Sequence, residues 1–332
     1  MGTPDFAVES LRILIENKYN IVAVITAPDR PIGRGQKIGM SAVKEYLLAN
    51  APNIPILQPE KLKNPEFLEE LKNYQADLQI IVAFRMLPEV VWQMPKFGTF
   101  NLHGSLLPQY RGAAPINWAI INGETETGVT TFFLRQDVDT GSIIFQEKEP
   151  ISLTDNVGDV YERLMHKGAK LVLKTVQSIE SGDYPQKIQD ESGHINHAPK
   201  IFKETCEIDW NQPVKKVYDF IRGLSPYPVA WTTLNEKNCR IYRASMVSDE
   251  WSVYTSTTNV TSNGLSFESS VETQTTATAS IGSFLTDGKK YLHFQCADGL
   301  LAVKELQLEG KKNMGIEEFL RGYKVPQPSK GE

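Results

Sequence analysis

Over its first 180 residues the chain alternates between helical and strand-like spacing of its apolar positions. Thr3-Pro4-Asp5 reads as a helix N-cap with proline at the first helical position, and Phe6, Leu11, Leu14 and Ile15 follow at helical spacing. Residues 21–27 form a short apolar run rich in β-branched side chains, the pattern of a strand buried on both faces. Further strands are predicted at 78–84, 99–103 and 129–134, with helices at 41–49, 65–74, 114–121 and 157–179. This alternation predicts an α/β domain over residues 1–183, built on a doubly wound, mostly parallel sheet. A βαβ unit should open with a strand, whereas this chain opens at a turn, Met1-Gly2-Thr3. A first strand is therefore expected directly upstream of Met1.

The pattern changes after a polar stretch, residues 184–203, which reads as a linker. A helix is predicted at 214–224, then short strands at 240–246, 290–295 and 300–308. Residues 255–280 are crowded with Ser and Thr and read as long hairpin loops. A small β-barrel of the oligonucleotide-binding (OB) type is the expectation for residues 204–332.

Composition narrows the class of protein. Of 332 residues, 41% are hydrophobic and 23% charged, which excludes wholesale disorder. No stretch approaches the roughly 18 apolar residues needed to span a bilayer, so no membrane partner is expected. Three widely spaced cysteines, Cys206, Cys239 and Cys296, suggest neither a disulfide framework nor a zinc site. A cytoplasmic protein is expected. The net charge of −5 argues against bulk electrostatic coating of nucleic acid. It leaves room for a local basic site, and from Arg30 to Lys44 the chain carries Arg30, Arg34, Lys37 and Lys44 with no acid among them.

The candidate chemistry lies in Asn101-Leu102-His103-Gly104-Ser105-Leu106-Leu107-Pro108, continuing to Tyr110-Arg111-Gly112. An amide and an imidazole two residues apart on one strand point to the same side. They stand at its C-terminal end, where open α/β sheets bind their ligands. A second polar motif, Asp137-Val138-Asp139-Thr140-Gly141, supplies an acid that could reach His103 and fix its tautomer. No GxSxG elbow is present and Cys206 lies elsewhere. Together these suggest acyl chemistry without a protein nucleophile, the attacking amine belonging to the substrate.

The segment 101–108 with Tyr110-Arg111-Gly112 and Asp139-Thr140-Gly141 resembles the signature of the formyltransferases that use 10-formyltetrahydrofolate. Gly2-Thr3-Pro4-Asp5-Phe6-Ala7 and the run Asp29-Arg30-Pro31-Ile32-Gly33-Arg34-Gly35-Gln36-Lys37 resemble the branch that formylates methionyl-tRNA. The resemblance spans essentially the whole chain. It implies a Rossmann-like catalytic domain, a formyl donor bound as co-substrate, no metal, and initiator methionyl-tRNA as acceptor and partner, with the enzyme a monomer. It implies that Asn101, His103 and Asp139 form the catalytic trio. Asn101 would donate to the oxyanion, His103 would manage a proton, and Asp139 would orient and polarise His103. Ser105, Leu106, Leu107 and Pro108 match the folate-contacting turn. The loop after the fourth strand, carrying Phe84, Arg85, Met86 and Leu87, matches the rest of the folate pocket, with Phe84-Arg85 standing where many relatives have Tyr-Gly. Arg34 would enter the acceptor stem, Lys37 would contact phosphate, and Arg30 and Lys203 would also face tRNA.

Two other functions fit parts of the pattern. A formyltransferase acting on a small amine, such as a nucleotide-linked amino sugar, would share residues 101–111 but lack the Gly33-Arg34-Gly35 loop. A non-catalytic RNA-binding protein would not require Asn101, His103 and Asp139 together.

Overall fold

A computed structural model describes residues 1–32, 37–135, 139–247 and 280–323. The chain divides into two compact units, the first comprising 1–119 and 124–201, the second 120–123 and 202–332.

The first unit contains, in chain order, α1 (Asp5–Glu16), β1 (Val24–Ile25), β2 (Arg30–Ile32), β3 (Lys37–Gly39), α2 (Ala42–Asn50), β4 (Ile56–Leu57), α3 (Pro65–Asn73), β5 (Gln79–Val82), α4 (Glu89–Trp92), β6 (Thr99–His103), β7 (Arg111–Gly112), α5 (Pro115–Ile121), β8 (Glu126–Phe133), β9 (Ile143–Pro150), α6 (Val157–Ser181) and β10 (His197–Ala198). Local capping explains several boundaries. Ser41 accepts from the Lys44 N–H at the start of α2, Asn64 caps α3, and Asn156 with Asp159 forms a capping box on α6. Helix α1 starts one residue later than its sequence suggests, with Pro4 at the N-cap and no side-chain cap.

The main sheet runs β5-β6-β8-β9. Strands β5 and β6 are parallel, but β8 is antiparallel to β6 and β9 to β8, so the sheet is mixed rather than mostly parallel. Between β8 and β9 the reason is the short connection: it contains no crossover helix, so the chain returns antiparallel there. On the other flank β1 pairs with β4, and Met1–Gly2 bridges the two sets. The Gly2 N–H donates to the Ile25 carbonyl at 3.0 Å, the Val82 N–H donates to the Met1 carbonyl at 3.0 Å, and the Met1 amino group donates to the Ile80 carbonyl at 2.6 Å. Met1–Gly2 is thus the end of a central strand position.

Beyond it the sheet opens into a cavity of about 980 Å³ between residues 21–25 and 76–80, floored by Leu11 and Leu14 of α1 and Val176 and Ile179 of α6. Burial pushes the Met1 amine down to about 5, because a charge at the mouth of this cavity has lost its water.

The second unit contains α7 (Val214–Leu224), β11 (Ala230–Leu234), β12 (Lys237–Met246), β13 (Phe284–Thr286), β14 (Leu292–Gln295), β15 (Leu300–Leu308), β16 (Met314–Gly315) and α8 (Ile316–Gly322). Its curled antiparallel sheet runs β11-β12-β15-β14-β13, with β16 on β15, and among the described residues no pairing closes β13 onto β11. Register shifts near Arg243 bend β12. Trp210 stacks on Phe294 at 4.4 Å in the core and donates its indole N–H to Thr232. All three cysteines are buried, and burial pushes the Cys239 and Cys296 thiols up to about 12, which makes them packing groups. Residues 255–279, the greater part of the Ser/Thr-rich stretch, lie outside the described residues.

Candidate active site

Strand β6 is buried along most of its length because it sits between β5 and β8. Its alternation brings Asn101 and His103 to one face, as their spacing predicts. Asn101 pairs in register with Ile81 and Phe132, and its carboxamide has no hydrogen bond to the described residues. His103 is buried, with its ring edge-on to Phe132.

The imidazole is fixed from two sides. Nε2 lies 2.9 Å from the Tyr110 carbonyl. A carbonyl only accepts, so Nε2 carries a proton and donates it. Nδ1 turns to Asp139 Oδ2 at 3.8 Å, within ion-pair range but beyond a direct hydrogen bond. The tautomer is therefore set by the Tyr110 main chain, not by Asp139 as the motif suggested. Asp139 instead receives the Gly112 N–H at 3.0 Å, which holds its carboxylate in place.

Two glycines make this geometry possible. Gly112 has φ +127°, and a Cβ there would stand 2.4 Å from the Ala198 carbonyl oxygen. A Cβ on Gly141 would fall 1.5 Å from the Phe133 carbonyl oxygen. Gly141→Ala should therefore displace the 139–141 segment and abolish most turnover. The check is steady-state kinetics alongside a melting curve, and near-normal activity would show that this packing is not needed.

The turn after β6 divides its work unevenly. Ser105 is fully buried, and its hydroxyl donates to the Gln109 carbonyl at 2.6 Å. Leu107 packs with Phe132 and Ile143. Thr130 braces the turn by donating to the Ser105 carbonyl and accepting from the Leu107 N–H, while Gln146 donates to the Leu107 carbonyl. The side chains of Ser105 and Leu107 are thus structural, and Leu106 and Pro108 are the half-buried members.

The loop after β5 leaves the same sheet end as His103, since Val82 pairs in parallel with Leu102. Leu87 is buried and Phe84 packs beside it in the core cluster with Ile25 and Val91. Arg85 lies over the Phe84 ring and donates to the Glu60 carbonyl at 2.7 Å and to the Pro59 carbonyl. Met86 is 76% exposed. Main-chain groups of residues 84–87 make no hydrogen bonds to other described residues, so a ligand could use them.

Among the basic residues, Arg30 is exposed on β2, while Lys44 is committed to Asp29 at 2.5 Å and Gln58 at 2.7 Å. Desolvation, with a contribution from Arg30, lowers the pKa of Arg85. Arg34 and the Lys37 side chain lie outside the described residues, as does Asp137. Lys203, in the second unit, is exposed, and its carbonyl accepts the Trp231 indole N–H. Arg222 on α7 is buried and paired with Asp219 at 2.8 Å, so its charge serves the second unit's interior.

The stretch 184–201 is laid along the first unit. Lys187 bridges to Ile143, the Asn196 carbonyl accepts the Tyr110 N–H at 2.6 Å, and β10 pairs in parallel with β7. Its polar composition hid these contacts, since most are made by main chain.

Residues 1–176 match the family described as formyl transferase, and residues 200–324 match the formyl transferase C-terminal domain. The chain is 53% identical to a methionyl-tRNA formyltransferase of Bacteroides fragilis, over 99% of this chain and 96% of that protein. It is 54% identical to the one from Bacteroides thetaiotaomicron, over 98% and 95%. Among solved structures it resembles WlaRD, a sugar 3N-formyl transferase, with TM-score 0.61 and 21% identity, over 94% of this chain and 97% of that one. At that identity the likeness concerns the fold. A mixed Rossmann-like sheet with Asn101 and His103 at the C-terminal end of β6, and these matches, place the chain in the formyl transferase family. Within that family it falls among the methionyl-tRNA formyltransferases.

Proposed function

We infer that this enzyme transfers the formyl group of 10-formyltetrahydrofolate to the α-amine of methionyl initiator tRNA, giving N-formylmethionyl-tRNA for translation initiation. The observation that supports the chemistry is that Asn101 and His103 share one face at the end of β6, with the Asp139 carboxylate 3.8 Å from His103 Nδ1. The methionyl amine attacks the formyl carbon. Asn101, its carboxamide unengaged, donates to the oxygen as it gains charge. His103 takes a proton from the attacking nitrogen at Nδ1 while Nε2 stays bonded to Tyr110, and Asp139 offsets the imidazolium that forms. The bond from the formyl carbon to the donor nitrogen then breaks, that nitrogen is protonated, and tetrahydrofolate leaves.

The free main-chain edges of residues 84–87 suit a pterin ring, with Leu106 and Pro108 on the opposite loop. Phe84 and Leu87 hold that loop from within the core, so the Phe84-Arg85 pair supports the pocket without its side chains needing to touch the donor. Arg30, Arg34 and Lys37 are assigned to tRNA, as is Lys203. The second unit is taken as an OB-like tRNA-binding domain, beginning near residue 204, of an enzyme that works as a cytoplasmic monomer. Among the described residues no helix is long and apolar enough to cross a membrane.

The test supplies 10-formyltetrahydrofolate with charged initiator and elongator methionyl-tRNAs and assays formylmethionine. Formylation of neither species overturns the reading. In the same assay Arg34→Ala should lower activity on initiator tRNA and narrow its advantage over a tRNA with a strong first base pair. Unchanged discrimination would leave Arg34 a surface charge.

A further inference from the structure

We propose that Gln189 is a positioning residue for Asp139, and that the arm carrying it belongs to the catalytic apparatus. Between residues 181 and 197 it is the only buried side chain, 6% exposed, in an otherwise open segment. A buried amide is costly unless both its ends are satisfied. Here they are. Nε2 donates to the Asp139 carbonyl at 2.6 Å and to the Gly141 carbonyl at 2.9 Å. Oε1 accepts from Arg111 Nε at 3.1 Å and Nη2 at 2.6 Å.

The partners lie on the two segments that hold His103. One is 110–112, whose Tyr110 carbonyl takes the His103 Nε2 proton and whose Gly112 N–H grips the Asp139 carboxylate. The other is 139–141, where Asp139 has the left-handed φ of 56° that few non-glycine residues adopt. Gln189 ties these segments together through one side chain. The task needs two donors and an acceptor on the same terminal group, which only a carboxamide supplies. Glutamate cannot donate and lysine cannot accept. By holding the main chain at Asp139, Gln189 keeps the carboxylate aimed at His103 Nδ1. Arg111 is also paired with Glu191 at 2.7 Å, so the arm grips this residue twice.

The inference rests on the reading that Asp139 serves His103, and the experiment separates the two. Gln189→Met keeps the reach and removes all four hydrogen bonds. Gln189→Glu keeps the acceptor for Arg111 and removes the donors to residues 139 and 141. Each should lower kcat by about ten- to a hundredfold, the scale of a small misplacement of a catalytic group, with KM for both substrates little changed. In an Asp139→Ala background neither should cost anything further, because the residue acted through Asp139. If Gln189→Met does not fold, Gln189→Glu carries the cycle. Unchanged kcat, or the same fold loss with and without Asp139, overturns the proposal while leaving the trio intact. Normal turnover in Asp139→Ala alone overturns both.

Discussion

His103→Ala should lower kcat by roughly two to four orders of magnitude, the range expected when a general base and its local charge are removed. Asp139→Ala should follow, because a neutral residue at 3.8 Å no longer offsets the imidazolium. Asn101→Ala removes an oxyanion donor and should cost roughly a hundred- to a thousandfold. All three act on the transition state, so kcat and kcat/KM should fall together while tRNA binding, measured by filter retention, stays near normal. His103 is the most informative because its Nε2 proton is already spent on Tyr110. A variant that keeps a neutral ring-sized group, His103→Gln, should still bond Tyr110 yet fail to accept the substrate's proton. Near-normal turnover in both His103→Ala and Asp139→Ala would sink the mechanism.

A strand joined ahead of Met1 should stabilise the enzyme substantially. The cavity beside Met1–Gly2 has the form of an unfilled strand position. Val24 and Thr26 direct their N–H groups to Pro55 and Leu57, away from it, so alternation turns the Ala23 backbone towards it. On the far side the Gln79 N–H goes to Gly98, which leaves the backbone of Leu78 and Ile80 facing inward, with Ile80 already accepting from the Met1 amine. Six β-branched apolar residues fused to Met1 would satisfy these groups and bury side chains on both faces, each contributing roughly 1.5–3 kcal/mol when fully buried. A net gain of only 2 kcal/mol, after ordering costs, would raise Tm by roughly 4–8 °C.

The extension should also remove a pH dependence. With the Met1 amine at about 5 in the folded state against an ordinary value of 8.0, the unfolded chain binds the extra proton. Stability of the chain that starts at Met1 should therefore be greatest above pH 8 and decline as pH falls towards 5. The fused chain has a peptide N–H at that point and should lose this contribution, leaving below about pH 6.5 the decline from His293, whose imidazole burial pushes down to about 4. A Gly/Ser extension of equal length is the control. Equal melting temperatures for the apolar and Gly/Ser extensions would mean the cavity does not receive a strand.

What could be read along the chain was whatever depends on near neighbours. Helix α7 and strands β6 and β15 match their sequence patterns residue for residue, because caps, turns and apolar spacing act over a few positions. The shared face of Asn101 and His103 follows from the two-residue period alone. Other strands changed length, residues 21–27 shrinking to Val24–Ile25 and 240–246 growing to Lys237–Met246, since a strand extends only as far as its neighbour pairs with it.

Tertiary structure decided the rest. In the turn after β6 the Ser105 hydroxyl goes to the nearby Gln109 carbonyl, but Leu107 is buried against Phe132 and Ile143, and the turn's main chain is held by Thr130 and Gln146, all from distant strands. The tautomer of His103 depends on a carbonyl seven residues away, placed by a turn. Gln189 carries no local signal, being one polar residue in a polar stretch. Its burial arises only because the arm folds back onto segments 48–78 residues earlier, and hydrogen bonds between main chain and a remote amide leave no periodic trace in a sequence.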